Sequence, residues 1–74
     1  MPKLIRLDRS GHSTLAEWDA VDPAGRAQAA RLLDAELGRG MIASATLPGG
    51  GNEVVRELPE DSELVILRRP IVGG

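Results

Sequence analysis

Few residues in this chain could carry chemistry. A side chain that titrates near neutrality occurs once, at His12, inside the run Ser10-Gly11-His12-Ser13-Thr14. A serine beside a histidine can form a nucleophile and base, but such a pair also needs an orienting group or a metal, and the surrounding residues supply neither. His12 is therefore expected to be a solvent-exposed turn histidine, and an enzyme built on it ranks last among the functions considered. The chain has no cysteine, which excludes disulfides, thiolate metal sites and thiol nucleophiles. Asp8, Asp19, Asp22, Glu60, Asp61 and Glu63 fall in expected turns and caps, where local hydrogen bonding accounts for them. Pro48-Gly49-Gly50-Gly51 has the glycines of a phosphate-cradling loop, but Asn52-Glu53 stands where a lysine would be needed and a strand is expected to follow, so it reads as a hairpin turn. No catalytic side-chain set emerges.

What remains is the end of the sequence. Arg68-Arg69-Pro70-Ile71-Val72-Gly73-Gly74 follows a strongly apolar run and ends in two residues without side chains. Arg68 and Arg69 are either the solvated end of a strand or a charged handle for a partner, and the residues alone leave both open. A glycine pair leaves the main chain slim and free in φ, so its carboxylate could be threaded into a narrow site on another protein.

The elements that would position this tail follow from caps, turns and periodicity. Lys3 to Leu7 reads as a strand, Asp8-Arg9-Ser10-Gly11 as a tight reversal, and His12 to Asp19 as a second, weaker strand. In that second strand Thr14, Ala16 and Trp18 alternate with Leu15 and Glu17, and Trp18 is expected to point inward. Asp22-Pro23 is a strong helix start, because Asp caps free N–H groups and Pro needs none at the first helical position. The helix should run from Pro23 to about Gly38, with Ala27, Ala30, Leu33 and Leu37 inward, helped by Leu32, and with Arg26, Arg31, Asp34 and Glu36 outward; Gly38 or Gly40 ends it. Met41 to Leu47 is apolar and small without helical period, Glu53 to Leu58 is a fourth strand candidate, and Glu63 to Leu67 is the most convincing strand. Leu64-Val65-Ile66-Leu67 is apolar on both faces, which suits a central strand covered on both sides. The predicted order is ββαββ, an α+β fold in which one helix packs across one face of a mixed sheet of four or five strands. The first and last strands then lie side by side, and Trp18, Leu33, Leu37 and Ile66 are expected in the core. Residues 1–69 form the domain and residues 70–74 the flexible tail.

Composition narrows the partners. The formal net charge is -2, with nine basic residues scattered among eleven acidic ones, and Trp18 is the one aromatic residue. A nucleic-acid partner is not expected, since clustered cations and stacking rings are both missing. Lys3, Arg6, Asp8 and Arg9 interrupt the N-terminal apolar residues, so neither a signal peptide nor a membrane span is expected and the cytoplasm is the default compartment.

The run Leu64 to Gly74, preceded by the turn Glu60-Asp61-Ser62, resembles the last strand and tail of the ubiquitin-like β-grasp superfamily, including the sulfur carriers of thiamin and molybdopterin synthesis. Pro70 stands where the molybdopterin-type carriers usually have the second of two prolines, whereas Arg68 and Arg69 are similar to the basic tail of ubiquitin. The resemblance implies a ubiquitin-like modifier or sulfur carrier, activated as an acyl-adenylate at Gly74, with Gly73 beside it and residues 68–72 contacting the partner. It implies an adenylating activating enzyme that brings the ATP, and a downstream acceptor protein or sulfur-accepting enzyme. No cofactor is held by the chain itself. With no residue after Gly74, no processing protease is expected. Lys3 is the one lysine and, with the Met1 amine, the one place where a ubiquitin-style chain could grow. Arg68-Arg69, in place of the first proline, puts the modifier ahead of the carrier. The alternative is a β-grasp structural or assembly protein, of phage or mobile-element origin, whose tail docks without activation.

Overall fold

The computed structural model describes residues 1–60 and 62–70. Asp61, Ile71, Val72, Gly73 and Gly74, which the tail and turn expectations include, lie outside the described residues. The elements are β1 (Lys3–Asp8), β2 (Gly11–Glu17), α1 (Pro23–Gly38), β3 (Ile42–Thr46), β4 (Asn52–Val55) and β5 (Leu64–Arg68). The order is therefore ββαβββ, one strand more than ββαββ, and the fold is α+β with a five-stranded mixed sheet in the order β2-β1-β5-β3-β4.

Each hairpin is closed by the polar turn expected of it. Between β1 and β2, the backbone N–H and hydroxyl of Ser10 both donate to Asp8 Oδ1, at 2.9 and 2.8 Å, and Gly11 takes φ 123°, a left-handed value that side chains disfavour. Between β3 and β4 the glycine run is a hairpin turn, with the Leu47 N–H donating to the Gly51 carbonyl at 2.7 Å. β1 and β5 pair in parallel, with Arg6 beside Leu67, and β3 pairs with β5 antiparallel, which leaves β5 in the middle of the sheet.

α1 starts where Asp22 accepts from the Ala24 N–H, with Pro23 in its first turn. Its inward stripe is Ala29, Leu33 and Glu36. This differs from the expected stripe: Ala27 is exposed, Ala30 and Leu37 are half-buried, and Glu36 is buried instead of outward. Alanine-rich stripes are nearly degenerate in apolar content, so a small rotation about the helix axis changes the burial of little apolar surface. The rotation is settled by Glu36, which gains an arginine partner on β1, and by Arg26, half-buried, whose guanidinium donates to the Leu58 carbonyl at 3.1 Å.

Leu4, Trp18, Ala29, Leu33, Ala43, Ala45, Val65 and Leu67 form the core between α1 and the sheet. Trp18 is inward as expected, but the alternation before it is broken: Leu4 faces Ala16 and Ile5 faces Thr14, so Leu15 is an extra residue on β2. On β5, Val65 and Leu67 are buried while Leu64 and Ile66 are half-buried, because the helix covers one face of the sheet and nothing among the described residues covers the other. Ile66 is thus not the core residue its apolar neighbours suggested. β4 stops at Val55, short of Leu58, which is nevertheless buried from the following loop. Among the described residues, no helix is long and apolar enough to cross a membrane.

Candidate functional site

The central strand β5 runs outward through Arg68 to Arg69 and Pro70, all three exposed. Around this exit lies an open cleft of about 610 Å3, lined by Arg6, Asp8, Glu36, Arg39, Gly40, Met41, Arg69 and Pro70 among others. Its floor is the end of α1. The Gly40 N–H donates to the Leu37 carbonyl at 3.0 Å and the Met41 N–H to the Glu36 carbonyl at 3.1 Å. That pair of bonds is a Schellman motif, and it requires the left-handed φ of 91° that Gly40 adopts. The helix thus ends at Gly38, with Gly40 as the residue that turns the chain into β3.

Charge in the cleft is arranged in two layers. Arg6 pairs with Glu36 at its base, at 3.1 Å, and this is the one ion pair among the described residues. Above them Arg39 and Arg69, both exposed, share the cleft with Asp8. The two hydrogen bonds from Ser10 hold the Asp8 carboxyl below the usual carboxylate range; desolvation opposes them, and the positive charges of Arg6 and Arg69 add lesser lowering effects. The cleft therefore carries both signs of charge, with Arg39 and Arg69 beside Asp8 and the Arg6–Glu36 pair.

The structure brings some sequence-predicted residues together and separates others. Arg69 and Pro70 line the cleft, whereas Arg68, one residue earlier, lines a separate groove with Met41 and Val55. Lys3 is exposed at the opposite end of β1, paired with Glu17 and Leu64. His12 is exposed on the edge strand β2, its ring in no hydrogen bond among the described residues, and Ser13 faces the other side of the strand. Asp8, Asp19 and Asp22 make the local turn and cap bonds expected of them, Asp19 accepting from the Val21 N–H at 3.1 Å. Glu60 and Glu63 are exposed and make no such side-chain bond among the described residues. Ser62, read as part of a polar turn, is buried, with its hydroxyl 3.0 Å from the Thr46 carbonyl and 3.1 Å from that of Leu64. No group of three His, Asp or Glu side chains is placed to hold a metal among the described residues.

Sequence reasoning missed Arg6, Asp8, Arg39 and Met41 as neighbours of the tail. Arg6 and Asp8 reach it only through the parallel β1–β5 pairing, which joins segments about sixty residues apart. Gly40 followed by apolar Met41 was a usable signal for the helix C-terminus. Comparison with known proteins finds no family model, no curated protein and no solved structure that matches this chain.

Proposed function

We propose that this chain is a ubiquitin-like β-grasp protein, a modifier or sulfur carrier whose reactive group is the carboxylate of Gly74. One observation carries it: β5 lies in the middle of the sheet, parallel to β1, and leads through exposed Arg68, Arg69 and Pro70 toward Gly73-Gly74. The sheet order and the single helix across one face are compatible with a β-grasp. In this reading the sheet carries β5 to Arg68 and the chain end beyond it is what a partner takes up.

In this reading an activating enzyme binds the tail and ATP together. A Gly74 carboxylate oxygen attacks the α-phosphate, the bond from that phosphorus to the bridging oxygen breaks, and pyrophosphate leaves. The resulting acyl-adenylate is then attacked by a sulfur nucleophile, AMP leaves, and the acyl group becomes a thioester or a thiocarboxylate. The chain needs no catalytic side chain for this, since positioning and electrostatic stabilisation belong to the partner. Lys3 and the Met1 amine are exposed, so self-linked chains would grow through them alone.

Incubation of the protein with a lysate of its source cells and ATP, followed by intact-mass analysis, tests this. The expected products are an adenylate, a thiocarboxylate or an isopeptide conjugate at Gly74. An unchanged mass with a lysate that activates its own diglycine proteins would overturn the proposal and leave a structural or assembly protein that docks without activation.

A further inference from the structure

The sheet ends in β2 on one side and β4 on the other, and the two edges are built differently. On β2 the extra residue at Leu15 shifts the register against β1 between Leu4 and Ile5, and such a bulge disrupts the row of N–H and C=O groups that a further strand would need. β4 carries no such guard. Its register against β3 is unbroken from Thr46 and Asn52 to Ala43 and Val55, with no proline and no lysine along it.

The hairpin fixes which backbone groups of β4 point away from the sheet. Because the Leu47 N–H donates to the Gly51 carbonyl, the hydrogen-bonded pairs of this ladder recur at Ala45 with Glu53 and at Ala43 with Val55. The N–H and C=O groups of Asn52 and Val54 therefore face outward, and neither N–H donates to a loop or turn carbonyl among the described residues. Val54, 66% exposed, is also the most exposed large apolar side chain on the sheet, and it stands opposite Ser44 on the face away from α1.

A second copy of the strand satisfies these groups by symmetry. A twofold axis perpendicular to the sheet keeps opposed side chains on one face only where it passes through a residue paired with itself. Centred on Glu53, two carboxylates would meet directly; centred on Val55, Glu53 would meet Glu57 of the second copy; centred on Asn52, Val54 would meet only Gly50. Centred on Val54, the two valines exchange both backbone hydrogen bonds and their side chains cover each other. Asn52 then stands opposite Arg56 of the second copy, where its amide oxygen can accept from the guanidinium. The joined sheet has the bulged β2 at both ends, so association stops at two.

We propose that β4 is a homodimerisation edge, on which a second copy of this chain pairs antiparallel about Val54. The two β5 strands run in opposite directions, so the tails leave at opposite ends of the joined sheet. The inference does not rest on the proposed function.

A seam of four residues is smaller than a standard interface, so the association is weak and is read by sedimentation velocity between about 0.01 and 1 mM. The apparent mass should rise from that of one chain toward that of two and no further. Val54→Pro removes an N–H that the β3–β4 ladder does not use, and should leave a folded monomer. Val54→Lys, a milder change at an exposed position, should weaken the dimer about tenfold or more with the Trp18 emission spectrum unchanged. The two Glu53 residues are diagonal neighbours across the seam, about 7–8 Å apart, so Glu53→Gln should strengthen the dimer about two- to fivefold. Since the chain has no cysteine, Val54→Cys reports contact with itself alone. Its Cα atoms, about 5.5 Å apart in the dimer, permit a disulfide under mild oxidation, whereas Thr14→Cys on β2 should cross-link far more slowly. A chain that stays monomeric at about 1 mM would leave the edge to a foreign strand and overturn the proposal. So would a mass that grows past two chains, a dimer indifferent to Val54→Lys or weakened by Glu53→Gln, or equal cross-linking at Thr14. No outcome reads adenylation, so its failure is distinct from a failure of the tail.

Discussion

Arg6 donates to Glu36 Oε1 across 3.1 Å, joining the middle of β1 to the last turn of α1 beneath the point where the tail leaves. The Glu36 side chain is 11% exposed and that of Arg6 36%, so the carboxylate is the member that loses most if the pair is broken. Replacing Arg6 with Met strands a nearly buried charge, and a cost of about 2–3 kcal/mol is expected, below the range for fully buried pairs because Arg6 is partly hydrated. The double variant Arg6→Met, Glu36→Leu should recover most of that loss. Urea unfolding followed by Trp18 fluorescence gives the four values of the cycle, and additive single effects would deny the coupling.

Gly25 sits in the first turn of α1 against the indole-bearing Trp18. A methyl group there would lie 2.9 Å from Asp22 Oδ2 and 3.1 Å from Trp18 Cβ. Alanine ordinarily stabilises a helix over glycine by about 1 kcal/mol, but Trp18 is held in the core and cannot retreat. Gly25→Ala should therefore destabilise by about 1–2 kcal/mol. Gly38→Ala meets nothing within 4 Å and should stabilise by about 0.5–1 kcal/mol. Opposite signs in the two thermal midpoints are the expected result, and a gain at both would show that the Trp18 contact relaxes freely.

Local signals made most of the fold legible. Asp22-Pro23 located the helix start, the glycine-bearing turns located both hairpins, and the Leu64 to Leu67 run located the central strand, because each depends on residues adjacent in sequence. The phase of α1 was not legible, since its small alanines gave way to one glutamate whose partner lies thirty residues away. Leu58 and Ser62 were misjudged for a related reason: irregular backbone buries them, and no periodicity marks it. Of the candidate site, Arg68 to Pro70 could be read from the chain end, while the cleft and groove beside them exist only once β1, α1 and β4 converge.

Leu33 and Leu37 separate the true stripe of α1 from the expected one. Leu33 is 1% exposed and Leu37 only half-buried. Leu33→Ala should cost about 2–5 kcal/mol, enough to unfold much of so small a domain, and Leu37→Ala about 1–2 kcal/mol. Equal midpoints in urea for the two variants would show that the helix is rotated from the orientation described.

Asp8 predicts a pH dependence whose sign follows from its lowered pKa. The folded protein holds the proton less tightly than the unfolded chain, so ionised Asp8 stabilises the fold at neutral pH. That contribution is complete above the unfolded aspartate value, about 3.9, and is lost as pH falls through the lower folded value. Asp8→Asn should lower the thermal midpoint at pH 7, and the gap from wild type should close in strong acid. A gap that persists unchanged in strong acid would mean that the loss comes from the turn geometry and not from the charge.

The tail should be separable from the body. The described core closes with Leu67, and Arg68, Arg69 and Pro70 are exposed, so removal of Gly73-Gly74 takes away little apolar area and should leave the thermal midpoint within about 1–2 °C. Gly74→Ala adds one methyl group, which should be equally neutral for folding. In the proposed function both changes act where the carboxylate must meet the α-phosphate of ATP, and misplacement of a reacting atom by about 1 Å costs on the order of a hundredfold in rate. With a cognate activating enzyme, Gly74→Ala should form adenylate much more slowly than wild type, and the truncated protein should form none. Pyrophosphate release measured beside circular dichroism on the same samples distinguishes loss of activation from loss of fold. If the truncated, folded protein supports pyrophosphate release as fast as wild type, the C-terminal carboxylate of Gly74 is not the reactive group.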